Sequence, residues 1–120
     1  MLFIEYPKCT TCKKAKKYLE DKNIKYDDRN IVINNPTKNE LDTWIKLSNK
    51  DINKFFNTSG LLYRNLELKN KLKNMTYEEK LELLASNGML VKRPIIVQKD
   101  ICLVGFNEKE YSTLKWNMIK

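Results

Sequence analysis

The sequence contains no histidine, which removes the commonest general base, the commonest metal ligand and the side chain that changes charge near neutral pH. Catalytic triads built on imidazole are therefore excluded. Glycine and proline are scarce, with three of each in 120 residues, so collagenous, low-complexity and repeat architectures are excluded as well. No apolar run approaches the ~18 residues that a membrane helix requires. The start, Met1 to Ile4 followed by Glu5, has neither the basic region nor the long apolar stretch of a secretory signal. These absences lead to the expectation of a soluble, cytoplasmic chain that does not associate with membranes. A chain of 120 residues is too short for two ordinary domains, and one domain spanning residues 1–120 with a single real core is expected.

Charge is unbalanced: 23 basic against 15 acidic residues leave a formal net charge of +8, which favours anions, acidic proteins or nucleic acid as partners. The lysines cluster at Lys13, Lys14, Lys16 and Lys17 and again at Lys69, Lys71 and Lys73. No aromatic stacking motif or glycine-rich phosphate loop accompanies them, so they read as solvated helix faces, and direct nucleic-acid binding is not expected.

Along the chain, Leu2-Phe3-Ile4-Glu5-Tyr6 is a short β-prone run stopped by Pro7, followed by a helical stripe of Cys12, Ala15, Tyr18 and Leu19. Ile24 to Val32 reads as a weak second strand carried by Tyr26, Ile31 and Val32, and a right-handed βαβ unit follows if the intervening helix is a crossover. After Asn34-Asn35-Pro36 the pattern becomes helical. Thr37 and Glu40 have capping-box spacing before Leu41, Trp44 and Ile45, and Thr76 and Glu79 repeat it before Leu81, Leu84 and Ala85. Between them, Asp51 can cap a short helix with Ile52, Phe55 and Phe56, Ser59-Gly60 interrupts, and Leu61 to Leu72 has irregular apolar spacing. Gly88 stands where a helix C-cap would be. Ile95 to Val97 and Ile101 to Val104 suit a β-hairpin around Gln98-Lys99-Asp100, and Asn107 with Glu110 starts a last helix with Tyr111 and Leu114 inward. The order βαβ, helical block, hairpin, helix, with Cys-x-x-Cys at the first strand-to-helix junction, is the arrangement of a thioredoxin-like α/β domain with a helical insertion over about residues 36–90.

Cys9-Thr10-Thr11-Cys12 carries the chemistry. An odd total of three cysteines, two at this spacing, suggests redox or metal chemistry more than a disulfide framework. A structural zinc site would have to recruit carboxylates, and no metal is expected. At a helix N-terminus, unpaired N–H groups and the positive end of the helix dipole favour a thiolate at Cys9, with Lys8, Lys13 and Lys14 adding charge. The gain in attack rate from a lowered pKa is only about twofold, because nucleophilicity falls with basicity. A resolving thiol three residues on is the stronger reason for the spacing, which makes Cys9 the attacker and Cys12 the resolver. Inert packing remains the alternative, above all for Cys12 on its apolar stripe, while Cys102, inside a strand, reads as a buried small hydrophobe. Arg93-Pro94 precedes a strand and is a candidate cis bond that would bring its backbone beside the thiol. Arg93 there could pair with an oxyanion through its planar guanidinium, and Arg64 is a second candidate among only three arginines.

The runs Tyr6 to Lys17, Lys54 to Gly60 and Leu83 to Gly88 through Lys92-Arg93-Pro94, in that order, resemble the glutaredoxin-linked arsenate reductase (ArsC) family and its Spx/MgsR branch over nearly the whole chain. The resemblance implies a thioredoxin-like (glutaredoxin-like) fold, with Cys9 as the nucleophile toward arsenate and Arg64 and Arg93 as oxyanion-binding arginines. Thr10 and Thr11 join them as oxyanion-binding residues, and Pro94 as a structural residue beside the site. It further implies no bound cofactor, with glutathione and glutaredoxin, or thioredoxin, as reductant, and a small oxyanion or a thiol/disulfide as substrate. Two departures stand out. The third arginine of the reductases would fall near Val104-Gly105-Phe106, where none occurs, and Cys12 stands where the reductases have serine. The Spx branch instead uses Cys-x-x-Cys as a redox switch in regulators that contact the RNA polymerase α subunit. A thiol-dependent oxidoreductase and such a regulator are therefore the two functions implied.

Overall fold

The computed structural model describes residues 1–113. Four short strands form one mixed sheet: β1 (Leu2–Glu5), β2 (Asp27–Asn30), β3 (Ile95–Gln98) and β4 (Ile101–Val104), in the order β2-β1-β3-β4. β1 pairs parallel with β2, with Leu2 opposite Asp27, and antiparallel with β3, with Ile4 opposite Ile95. β3 and β4 are the hairpin. Its turn is the two residues Lys99-Asp100, with Gln98 paired to Ile101, and Lys99 takes the positive φ of 48° that the missing glycine would ordinarily supply.

Both faces of the sheet are covered, which explains why its strands read as continuous apolar runs. Phe3, Ile96 and Leu103 point to one side and pack with Ala15, Leu19 and Ile24 from α1 (Thr10–Asp21) and its exit, and with Tyr111 from α6 (Glu108–Ser112). Ile4, Ile95 and Val104 point to the other side, against the helical block: α2 (Lys38–Ser48), α3 (Leu61–Asn65), α4 (Leu68–Lys71) and α5 (Tyr77–Ser86). Leu114, expected on the inner face beside Tyr111, lies outside the described residues. No helix among those described is long and apolar enough to cross a membrane.

Local sequence signals account for most helix boundaries. Both capping boxes form: Glu40 N–H donates to Thr37 Oγ1 at 3.1 Å while Thr37 N–H donates to Glu40 Oε1 at 3.0 Å, and the Thr76 and Glu79 pair repeats this at 2.8 and 3.1 Å. α1 closes with Asn23 at φ 57°, its N–H donating to Glu20 O and that of Ile24 to Leu19 O, a left-handed helix end that satisfies two orphan carbonyls. The irregular spacing of Leu61 to Leu72 has its cause at Glu67, which takes φ 53° and breaks the segment into α3 and α4.

Two expectations are corrected. The second strand is built from Asp27-Asp28-Arg29-Asn30 and not from the apolar residues around it. It lies at the sheet edge, where only its ladder to β1 is required, while Ile24 and Ile31 bury themselves beyond its two ends and Val32 is left exposed. Gly88 does not cap α5. The helix ends at Asn87 in extended conformation, and Gly88 opens a 3₁₀ turn, Gly88–Leu90, pressed against the backbone of Ile31.

β1 also carries a carboxylate into the interior. Glu5 is 2% exposed, with Lys16 Nζ 2.6 Å from its Oε2 and 3.0 Å from Asp28 Oδ2. Burial, reinforced by the neighbouring Asp28 carboxylate and opposed by Lys16, pushes the Glu5 carboxyl up to about 7 from 4.5. A folded pKa above the unfolded one means that the fold favours protonated Glu5. Its contribution is complete below about pH 4.5 and lost as pH rises to about 7. Urea midpoints measured at roughly pH 5 and pH 8 should show wild-type stability falling by on the order of 2 kcal/mol, and Glu5→Gln should flatten that fall.

Candidate active site

Pro7 and Lys8 turn the chain from β1 into α1, placing Cys9 at the helix N-cap with φ −81° and ψ 124°. Cys9 N–H is held by Tyr6 O at 2.9 Å and its carbonyl accepts from Lys13 N–H at 3.1 Å. The thiol makes no side-chain capping bond of its own. It opens instead into a cavity of about 460 Å³, to which Thr11 contributes from α1, Asn57, Ser59 and Gly60 from the loop before α3, and Lys92 and Arg93 from the approach to β3. Gly105 and Phe106, after β4, complete the wall. Among the described residues no carboxylate lines it.

The two thiols occupy opposite environments. Burial alone would disfavour a thiolate at Cys9, but the backbone N–H and thiol of Cys12 and the guanidinium of Arg93 face it and together hold its pKa below the ordinary thiol value. Cys12 is fully buried on α1, and burial, reinforced by the adjacent Cys9 thiolate, pushes it up to about 12. One cysteine thus has its thiolate favoured and opens to the cavity, while its buried neighbour is held as the protonated thiol. Cys102 is buried in β4 and pushed up to about 12 by desolvation, as expected of a packing residue.

Arg93 is aimed by several partners: Nη1 donates to Met89 O at 3.3 Å, and the guanidinium lies over the Tyr6 ring at 5.3 Å. The Arg93-Pro94 bond is cis, as its position before a strand suggested, and Pro94 is buried with its carbonyl accepting from Gly105 N–H at 2.8 Å. Arg64 is not brought to Cys9. It stands exposed on α3 and lines a separate cavity with Thr58, Tyr63 and Glu67. Thr10 is exposed on the first turn of α1 and does not line the cavity, whereas Thr11 does. The remaining arginine, Arg29, is structural, donating to both Glu40 oxygens at 2.7 and 2.9 Å and tying β2 to α2.

Sequence reasoning did not assign Asn57, Ser59, Lys92 or Phe106 to the site. Asn57, Ser59 and Lys92 lie in the runs that carry the family resemblance, and Phe106 in the stretch where the third arginine is missing, none with a chemical signature of its own. Only the meeting of three distant loops makes them neighbours.

A mixed four-stranded sheet with a Cys-x-x-Cys at the start of the first helix and a cis-proline loop beside it defines a thioredoxin-like thiol protein. The ArsC family model matches residues 4–114, and the chain belongs to the ArsC family. The crystal structure of a putative ArsC family related protein from Bacteroides fragilis is 54% identical, with a TM-score of 0.93 over 95% of this chain and 96% of that one. Uncharacterized protein YusI of Bacillus subtilis is 47% identical over 92% of this chain and 94% of its own length. Regulatory protein MgsR of the same organism is 33% identical over 92% and 86%.

Proposed function

We propose that the protein is a thiol-dependent oxidoreductase in which Cys9 attacks a small electrophile, a disulfide or an oxyanion, and Cys12 resolves the adduct. The observation that carries this reading is the asymmetric thiol pair: Cys9 on the cavity wall, favoured as thiolate by Cys12 and Arg93, and Cys12 buried and protonated. With a disulfide, the Cys9 thiolate forms a new S–S bond to one sulfur and the other leaves as a thiolate. The adduct carries no charge on Cys9 Sγ, so one of the influences raising Cys12 disappears, and Cys12 loses its proton to the departing thiolate or to water. It then attacks Cys9 Sγ, releasing the second thiol and leaving a Cys9 to Cys12 disulfide. Two electrons from glutathione with glutaredoxin, or from thioredoxin, return the pair to dithiol. With arsenate the overall balance is one arsenate and two thiols giving arsenite, one disulfide and water.

The test is NADPH oxidation in a coupled glutathione and glutaredoxin assay, with arsenate and a disulfide as separate substrates. Turnover with either, lost in Cys9→Ser and reduced by about tenfold or more in Arg93→Ala, supports the proposal. No turnover with either substrate in the wild type overturns it.

A second reading, a redox-sensing regulator that binds the RNA polymerase α subunit through a Cys9 to Cys12 disulfide switch, is supported by the identity to regulatory protein MgsR. It requires α-subunit binding that changes between reduced and oxidised protein. A pull-down empty in both states would remove it.

A further inference from the structure

Lys92 has no role in the chemistry above, yet it is a cation on the cavity wall. Its backbone N–H is fixed to Phe55 O at 2.7 Å, which anchors the residue between Val91 and Arg93. Its side chain runs across Gly105: a methyl group at position 105 would stand 3.0 Å from Lys92 Cε and 3.6 Å from Nζ. Gly105 is itself pinned on both sides, its N–H donating to Pro94 O at 2.8 Å and its carbonyl accepting from Tyr111 Oη at 3.0 Å. At φ +81° it holds a conformation that favours glycine. The bare glycine thus makes a shelf for the lysine stem. Among the described residues the ammonium makes no ion pair, and the wall it shares with Cys9 and Arg93 contains no carboxylate.

From this placement we infer that Lys92 is a specificity-determining residue, which selects substrates carrying an anionic group beside the electrophilic sulfur, with a carboxylate-bearing disulfide as the class that fits. The inference rests on the oxidoreductase reading. Arg93 is committed to Met89 O and the Tyr6 face and lies against the Cys9 sulfur, so a second anion in the cavity needs a second cation. Lys92 supplies it on a long stem without a fixed fork, suited to a carboxylate two or three bonds away from the reacting sulfur. In the step itself the Cys9 thiolate attacks one sulfur of the disulfide, the S–S bond breaks, and the carboxylate-bearing thiolate leaves. Lys92 takes no proton and forms no bond in that step.

The experiment compares second-order rates of Cys9 oxidation, followed by intact mass, with 3,3′-dithiodipropionate as the anionic probe and bis(2-hydroxyethyl) disulfide as the neutral one. Each is normalised to its rate with a free small thiol. The wild type should prefer the anionic probe. Lys92→Met should lower the preference by about tenfold, Lys92→Arg should keep it within about twofold, and raising the salt should weaken it in the wild type. An anionic preference unchanged in Lys92→Met, or absent from the wild type, overturns the assignment while leaving the oxidoreductase reading standing. Failure of wild-type Cys9 to react with either probe faster than a free thiol overturns the oxidoreductase reading and this inference with it.

Discussion

Cys9→Ser should abolish adduct formation with glutathione disulfide and lower thiol-coupled turnover by at least about a thousandfold, whereas Cys12→Ser should stall with one glutathione attached to Cys9. The two outcomes differ because the two sulfurs do different jobs. A serine hydroxyl at the N-cap keeps the helix end polar but is far too weak an acid to ionise near neutral pH, so Arg93 and the Cys12 N–H have no anion to support. Cys12→Ser leaves the attacking sulfur in place with Arg93 still beside it. It removes the second thiol of the pair, and the remaining cysteine, Cys102, is buried in β4. First attack therefore proceeds and resolution then waits for an external thiol. Intact mass after a short exposure to glutathione disulfide distinguishes the cases: an unmodified chain for Cys9→Ser, a single adduct for Cys12→Ser, and an internal disulfide two hydrogens lighter for the wild type. A stable adduct on the Cys9→Ser protein, or an unmodified Cys12→Ser protein, would contradict the assignment of roles.

Gly88→Ala should be the most destabilising single-methyl addition at any of the three glycines, costing about 3 kcal/mol or more in urea unfolding. A methyl there would stand 2.2 Å from Ile31 O and 2.9 Å from its carbonyl carbon, and 2.7 Å from Asn35 Oδ1. None of these can retreat easily. Ile31 is fully buried with its N–H held by Glu5 O at 2.8 Å, and Asn35 donates to Ala85 O at 2.8 Å. Gly60→Ala is the control, since its tightest neighbour is the amide end of the Asn57 side chain at 2.6 Å, a group that can rotate away. The strain at Gly88 would also reach the site, because Met89 O accepts from both Arg93 and Asn57. Equal unfolding midpoints for the two alanine variants would show that the contact with Ile31 is not what requires glycine at 88.

The contrast between those glycines shows where the sequence was readable. Signals within a few residues were legible: both capping boxes, the asparagine cap of the last helix, the hairpin, and the Cys-x-x-Cys at a strand-to-helix turn each depend on local geometry that residue type dictates. The cis bond at Arg93-Pro94 was legible as a position, and the ArsC resemblance rested on three runs whose order the fold preserves. Gly88 was misread because a glycine after a helix is a common left-handed cap, whereas here its missing side chain admits the backbone of a loop 57 residues earlier. The second strand was placed over too wide a span because its apolar neighbours, not its own Asp27 to Asn30, look β-prone. A buried Glu5 was invisible for a similar reason, since Lys16 and Asp28, which accompany it, lie on two other elements. In the site, Cys9, Cys12, Thr11 and Arg93 meet as their motifs suggested. Arg64, exposed on the short α3, lines a neighbouring cavity and not the one at Cys9, and the Lys92 side chain runs over the bare surface of Gly105.

Selective activation of one thiol is the central property of the site, and competitive alkylation of the native protein tests it most directly. Substoichiometric iodoacetamide, followed by peptide mapping across a pH series, should label Cys9 almost alone. Its rate should reach half-maximum below the ~8.5 of a free cysteine, with Cys12 and Cys102 labelled only on unfolding. Arg93→Ala should move that midpoint upward, because it removes a cation that favours the thiolate. Equal labelling of Cys9 and Cys12 in the folded protein, or a Cys9 midpoint at or above that of a free thiol, would contradict the account.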